Sequence, residues 1–269
     1  MKILEWNIDA INIKNFNKII DKLECITEKD PDIFVLCEVG VNILEPIKEY
    51  FQQYGYHFAH KQNINSYIKH VVLIGSKNNL NGSKSLYTEK FSERCIQTST
   101  ENLEIIGLHL LSKTDLENRL QNDSEFSFDK GNALKLKNEL GWEPVLEYVK
   151  NSPNKKTIII GDLNSGTEND TNKPKQLHSG EYLKELESLG WTDVWKFCNE
   201  NDYGKKEAFS WFFQKNEEKM GSRLDYAFLS PALGGDSIIQ ATFDHSVRTV
   251  KKPENLKRDG LSDHSMLLL

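Results

Sequence analysis

The stretch "KKTIIIGDLNSGTEND" (155–170) decides how the rest of the chain is read. Thr157 to Ile160 are all β-branched, the composition of a buried strand. Gly161 ends the run, and Asp162 and Asn164 follow it two residues apart. Either polar residue alone has a plain use, since Asp and Asn commonly cap the turn after a strand. Together on one strand end they form a rigid arm that delivers a carboxylate and an amide to one place.

Other strands end in the same way. "LEWNIDA" (4–10) ends on Asn7 and Asp9, and "PDIFVLCEV" (31–39) on Glu38. "IIGLHLLS" (105–112) carries His109. "SRLDYAFLS" (222–230) opens on Asp225, and "LSDHSMLLL" (261–269) opens on Asp263 and His264. The chain has 40 acidic residues, and a single one is ordinarily a solvated surface charge. A lone histidine is more often a hydrogen-bonded structural group than a catalyst, and Asp225 has Arg223 as a near neighbour to pair with. Those readings do not account for hydrolytic or metal-binding residue types at six separate strand ends.

The composition frames what such a cluster can do. The 269 residues are 38% hydrophobic, enough for a sizeable core. We find no repeat or linker that cuts the chain, so residues 1–269 read as a single domain. Ten strands and four helices (15–29, 43–54, 132–150 and 180–189) suit two packed sheets with helices outside. The segments 78–84, 151–156 and 166–180 read as loops, and 112–130 as a polar surface segment. The mean hydropathy is -0.57, and no apolar run approaches the ~18–20 residues that cross a bilayer. Glu5, Asn7 and Asp9 break the N-terminal stretch, so no signal peptide is read and the expected location is cytoplasmic. Cys25, Cys37, Cys95 and Cys198 form no C-x-x-C pair and read as reduced, mostly buried thiols. A net charge of -6 excludes a simple basic nucleic-acid binder. A phosphate ligand then needs a local attraction, such as a bound cation.

The motifs "WNID" (6–9), "LCEV" (36–39), "GDLN" (161–164), "RLDY" (223–226) and "SDH" (262–264) stand in order across nearly the whole chain. In this the sequence resembles the endonuclease/exonuclease/phosphatase family, the DNase I-like fold. The resemblance implies a four-layer α/β/β/α sandwich with the active site at one edge of paired sheets. It implies a metal-dependent phosphoric ester hydrolase using Mg²⁺ (or Mn²⁺). Glu38 is the expected metal ligand, a hard oxygen donor, with Asn7, Asp9 and Asp263 completing the shell. Asp162 is expected to orient and deprotonate the attacking water, and Asn164 to position it. His264 is expected at the non-bridging phosphate oxygens, held in its tautomer by Asp225. A histidine at the place of His109 contacts phosphate or protonates the leaving group in several branches of the family.

Exonuclease III-like features are also present. "GWTDVWKF…EAFSWFF" (190–213) and "SRLDYAFLS" (222–230) resemble those enzymes. His109, where abasic-site enzymes commonly have tyrosine, and Ser222, where they tend to have a bulky apolar residue, depart from them. "NSY" (65–67) resembles a DNase I stretch whose tyrosine packs on DNA sugar, although Lys69 stands where that enzyme has glutamate. Expected substrate contacts are Asn7, Arg223, Tyr67, Trp211, Lys251 and Lys252, the last two in the basic segment "VRTVKKPENLKRDG" (247–260). The reading that follows is a Mg²⁺-dependent phosphodiesterase acting on nucleic acid, with DNA favoured, as an endonuclease or exonuclease. The alternative is a phosphatase or phosphodiesterase for a small or lipid-linked phosphate. A non-catalytic binding module is the rival class, and the joint presence of Glu38, Asp162, Asn164, Asp225 and His264 argues against it. No membrane and no obligate protein partner are implied.

Overall fold

The computed structural model describes residues 1–11, 13, 16–112, 116, 132–173, 177–215, 218–234, 240–248 and 261–269. Its apolar runs form two six-stranded sheets. One has the order β13 (Thr242–Asp244), β14 (Met266–Leu268), β1 (Ile3–Asn7), β2 (Ile33–Gly40), β4 (His70–Ser76), β3 (His57–Ala59). The other has the order β5 (Asn81–Lys84), β6 (Cys95–Ser99), β7 (Glu104–His109), β8 (Thr157–Asp162), β12 (Asp225–Leu229), β9 (Thr192–Asp193). Strands β10 (Trp211–Lys215) and β11 (Glu218–Ser222) make a separate antiparallel ribbon.

Both faces of each sheet are covered, which is why the strands are apolar throughout instead of alternating. Between the sheets, Ile3, Val35, Val72 and Ile74 pack against Ile96, Ile105, Ile158, Ile160 and Ala227. On the outer face of the first sheet, Leu4, Trp6, Phe34 and Leu73 pack against Leu23 and Ile26 of α1 (Ile20–Lys29) and Ile47 and Phe51 of α2 (Leu44–Gln52). On the outer face of the second sheet, Ile106, Ile159, Tyr226 and Phe228 meet α3 (Ala133–Lys137), α4 (Glu143–Asn151) and α5 (Gly180–Ser188) through Leu136, Val145, Val149, Leu183 and Leu186, with Trp142 between the first two helices. The layers run α/β/β/α, as the resemblance implied. Each fully buried Leu, Ile or Phe contributes roughly 1.5–3 kcal/mol.

Several expectations shift. The stretch 78–84 contains β5 rather than loop alone, and the short β9 and the β10–β11 ribbon were not foreseen. The helix expected over 132–150 is α3 and α4 joined by a π-helical turn, Asn138–Trp142. Near the C-terminus Thr242–Asp244 forms β13, and most of 112–130 lies outside the described residues. Short α6 (Val194–Cys198) follows β9. All four cysteines are free thiols, with Cys37 and Cys95 buried. Among the described residues, no helix is long and apolar enough to cross a membrane.

Register decides where the polar strand ends go. β7 and β8 run parallel with His109 opposite Asp162, and β12 is antiparallel to β8 with Asp225 opposite Asp162. His109, Asp162 and Asp225 therefore form one row across the second sheet. β1 and β2 run parallel in the first sheet, Asn7 opposite Cys37, which brings the end of β1 beside Glu38.

Candidate functional site

Gly161 is required where it stands. Its φ is +149°, and a Cβ there would lie 1.8 Å from the Leu108 carbonyl oxygen of β7. The next turn is built by its own side chains. The Asn164 N–H donates to Asp162 Oδ1 at 3.0 Å, and Asn164 sits in the left-handed region at φ 43°, where Asn is among the least strained residues. The Asn164 amide donates to the Leu110 carbonyl at 2.9 Å.

The end of β1 repeats this design in reverse order of residue type. The Asp9 N–H donates to Asn7 Oδ1 at 3.1 Å, and Asp9 is left-handed at φ 44°. The two turns are joined directly: Asn7 Nδ2 donates to Asp162 Oδ2 at 2.9 Å. Glu38 sits in a bulge of β2, where pairing with β4 shifts register between Leu36 and Val39, and its φ is 57°. Bulges redirect a side chain, and this one sends the carboxylate to the same edge. His109 Nε2 lies 3.6 Å from Glu38 Oε1 and 3.8 Å from Asp162 Oδ2.

His264 closes the group. Its Nδ1 lies 2.8 Å from Asp225 Oδ2, and its Nε2 is 3.9 Å from Asp162 Oδ2. The backbone around it is stitched to β1: Trp6 Nε1 donates to the His264 carbonyl at 3.1 Å, Ser262 Oγ donates to the Asn7 carbonyl at 2.6 Å, and the His264 N–H donates to Ser262 Oγ. Ser210 Oγ accepts from the N–H groups of Leu224 and Asp225 at 3.0 and 3.2 Å, fixing the start of β12. Trp211 Nε1 donates to Asp263 Oδ2 at 3.2 Å, and its ring stacks on Phe213.

The electrostatics are those of crowded, buried acids. Burial, reinforced by Asp263 and Asp162, pushes the Glu38 carboxyl up to about 7. Burial and Asp225 push Asp162 to about 7 against the lowering influence of His264. Burial works against a charged His264, but Asp225, with Asp162 and Asp263, outweighs it and holds the imidazolium well above the usual range. Glu5, on the same face of β1 as Asn7, is fully buried, and neither carboxyl oxygen has a hydrogen-bond partner among the described residues. Burial, then Asp225 and Asp162, hold its pKa well above the ordinary value.

A divalent cation fits this chemistry. Glu38 and Asp162 ionise at neutral pH only against a shortage of positive charge, which a cation supplies. Asp162, Asp225 and His264 offer ligand-type atoms all within 4.8 Å of one another. His264 Nδ1 is already engaged by Asp225, so that trio is better described as a His–Asp pair facing a carboxylate. Hard oxygen donors near Glu38 (Asn7, Asp9 and Asp263) suit Mg²⁺ or Mn²⁺ better.

Asn7, Asp9, Glu38, His109, Asp162, Asn164, Asp225, Asp263 and His264 thus lie at one end of the sandwich. Arg223 is placed elsewhere. It is buried, with Nε donating to Asp170 at 2.8 Å and Nη1 and Nη2 to Asp193 at 3.0 and 2.7 Å. It serves the fold rather than a substrate, and Asp225 pairs with His264 instead of with it. Tyr67 is 53% exposed and bonded to Asn65. Lys251 and Lys252 lie outside the described residues. Sequence reading missed Arg94, whose Nη1 is 3.4 Å from His109 Nδ1, and His70, whose ring is 5.4 Å from that of His109. His70 opens the apolar run of β4 as Asp225 opens that of β12, so the same strand-end signal was available for it.

A sequence profile described as the Endonuclease/Exonuclease/phosphatase family matches residues 4–264. Among curated proteins, none matches. Among solved structures, the 3′ phosphatase NExo from Neisseria, bound to product DNA hairpin, is 18% identical with a TM-score of 0.73, covering 100% of this chain and 98% of its own. An AP endonuclease from Archaeoglobus fulgidus is 17% identical, TM-score 0.72, with coverage of 100% and 98%. TDP2 from Caenorhabditis elegans is 16% identical, TM-score 0.62, with coverage of 100% and 73%.

Proposed function

The chain belongs to the endonuclease/exonuclease/phosphatase family and is a phosphoric ester hydrolase; from that premise we propose that it is a divalent-metal-dependent phosphodiesterase acting on nucleic acid, DNA in preference to RNA. We take residues 1–269 as one catalytic domain, because the core between the sheets draws on Ile3 at one end of the chain and Leu267 at the other. The observation that carries the reading is the Asn7–Asp162 hydrogen bond, which ties the polar ends of the two sheets into one constellation with Glu38 and the His264–Asp225 pair.

The geometry supports the roles that the family resemblance implies. Asp162 is buried at a strand end and is fixed through both oxygens by Asn7 and Asn164. A carboxylate poised at about 7 suits proton removal from water at neutral pH. His264 turns Nε2 toward the same carboxylate while Asp225 holds Nδ1, so a charged imidazole would face the non-bridging oxygens of a bound phosphate. Asp225 stabilises that cation and fixes the ring. His109 stands on the other side of Asp162, where it would serve the leaving oxygen. Glu38, with Asn7, Asp9 and Asp263, would hold the cation. When bound, Mg²⁺ or Mn²⁺ neutralises phosphate charge as a Lewis acid. Trp211, stacked with Phe213 at the rim, offers an aromatic face for a base or sugar.

DNA is favoured because one of the similar structures is described as bound to a product DNA hairpin and because the basic segment 247–260 adjoins the Asp263–His264 motif. The test is a substrate panel of plasmid, single strand, abasic duplex, RNA and a chromogenic phosphodiester, each with Mg²⁺, Mn²⁺ or EDTA. Metal-dependent cleavage of DNA is expected. Full activity in excess EDTA refutes the mechanism, and turnover confined to the small diester hands the site to the small-phosphate alternative.

A further inference from the structure

Two lysines outside the group above are buried against it. Lys22 of α1 and Lys137 of α3 are 6% and 4% exposed, the two buried lysines among the described residues. Lys22 Nζ donates to the carbonyl of Ile8, the middle residue of the Asn7–Asp9 turn. Lys137 Nζ donates to the carbonyl of Asn164 at 2.6 Å, the last residue of the Asp162–Asn164 turn, and approaches Ser165 Oγ at 3.3 Å. Each turn thus has the same three parts: an Asx side chain bonded to the N–H two residues on, a left-handed third residue, and a buried ammonium on a turn carbonyl. The lysines come from different layers of the sandwich, one from each outer helical face.

The second anchor depends on the π-helical turn Asn138–Trp142. On an ordinary α-helix, side chains five residues apart point about 140° apart, at roughly 100° per residue. The wider π turn brings Lys137 and Trp142 toward one face, and Trp142 Nε1 donates to the same Ser165 Oγ at 3.0 Å. A π turn is uncommon, and here it is spent on gripping the segment just after Asp162.

A turn carbonyl needs only one donor, and water or a neutral amide would serve. Burying an ammonium costs several kcal/mol unless nearby charge repays it. Burial dominates and brings both lysines down to about 8, and carboxylates offset part of that cost: Asp263 and Glu38 of the site favour the cation at Lys22, and Asp162 of the site with Glu181 of α5 favours it at Lys137. We infer that Lys22 and Lys137 are positioning residues, one for each polar turn, which hold the turns in their left-handed geometry and place fixed positive charge behind the carboxylates. Because the Asn7–Asp9 turn belongs to the cation shell and the Asp162–Asn164 turn to the water-activating group, the two lysines act on different steps. The kinetic half of this inference rests on the function proposed above; the structural half does not.

The test uses the full chain with Lys22→Met, Lys137→Met and the charge-keeping Lys22→Arg and Lys137→Arg. Amide exchange read by mass spectrometry is expected to rise over 161–166 in Lys137→Met and over 5–11 in Lys22→Met, each leaving the other turn unchanged. Calorimetric Mg²⁺ affinity should fall about 10–100-fold in Lys22→Met and hold in Lys137→Met. On whichever phosphodiester the wild type hydrolyses, Lys137→Met should lower kcat about 10–100-fold at unchanged KM, and the Arg variants should recover part of each loss. Wild-type exchange at both turns overturns the inference, as does an equal effect of both variants on metal affinity and kcat. Should a Met variant not fold, the Arg variant carries the same comparison, since retained charge with displaced geometry must loosen its own turn and not the other. A wild type inactive on every phosphodiester refutes the proposed function, while exchange and calorimetry still decide this inference.

Discussion

Without a divalent cation the folded chain should lose stability as pH rises from about 6.5 to 8, and Mg²⁺ should abolish most of the loss. Glu38 and Asp162 are pushed up to about 7, against roughly 4 in an unfolded chain. A carboxyl raised on folding contributes stability that is present at low pH and lost as pH climbs through the folded value. His264, held well above its ordinary range by Asp225, adds the same sign above about pH 6.5, where the unfolded chain releases that proton. Burial raises Glu5 as well, which adds a contribution of the same sign. Near pH 7 the folded chain then holds roughly two to three protons more than the unfolded one, a slope of about -3 kcal/mol per pH unit. Glu38 is 21% exposed, which places its share at the low end. For a chain of this length that is a fall of about 5–10 °C in Tm per pH unit.

Groups of opposite sign lie outside this window. Burial lowers His60 and His245, so they favour rising pH, but only below about 6.5. Lys22 and Lys137, brought down to about 8, act above it. The assay is scanning calorimetry from pH 6.5 to 8 in EDTA and in saturating Mg²⁺. A Tm that is flat or rising in EDTA refutes the charge shortage, and parallel curves with and without Mg²⁺ refute the cation site.

The other predictions concern single groups. Asp225→Asn should cut kcat strongly with little change in KM, and Asp225→Asn with His264→Ala should cost little more than His264→Ala alone, because the pair acts as a unit; additive losses in steady-state kinetics would separate them. Arg223→Met should destabilise the fold by about 3–5 kcal/mol in urea denaturation, since it strands Asp170 and Asp193 as buried charges; a loss below about 1 kcal/mol would mean that solvent reaches them. Neutralising Lys251, Lys252, Lys257 and Arg258 should weaken activity on long DNA far more than on a chromogenic diester and flatten the salt dependence of binding by about one unit per lost contact. Equal effects on both substrates would make that segment an ordinary solvated surface.

The sandwich was legible because each long strand is apolar on both faces and ends in a polar residue at the same edge, so Asn7, Glu38, His109, Asp162 and Asp225 announced themselves. What stayed hidden depends on distant convergence. Arg223 stands two residues from Asp225 and reads as a site residue, yet its partners Asp170 and Asp193 are 53 and 30 positions away. Lys22 and Lys137 look like any of 34 basic side chains; their burial follows from a helix packing over a turn and, for one of them, from a π turn with no sequence signature. Glu5 was visible in principle. Period-two alternation puts residues 3, 5 and 7 on one face, so a strand running from core Ile3 to Asn7 had to bury the carboxyl between them.

The two polar turns show why the plain and the functional readings of such a pair need not compete. In Asn7–Ile8–Asp9 and Asp162–Leu163–Asn164 the first side chain must accept from the third N–H, and the third residue must tolerate a left-handed φ. Asn and Asp meet both demands better than other side chains, so backbone sterics alone would select these residue types. The apolar middle residues, Ile8 and Leu163, are fully buried and pin each turn to the core. What sterics leave open is which of the two positions carries the charge, and here the choice is opposite in the two turns. The amide of Asn7 meets the carboxylate of Asp162 at 2.9 Å, where two aspartates would repel and two asparagines would leave no base. That single complementary contact lets one strand end remain ionisable while the other holds it in place.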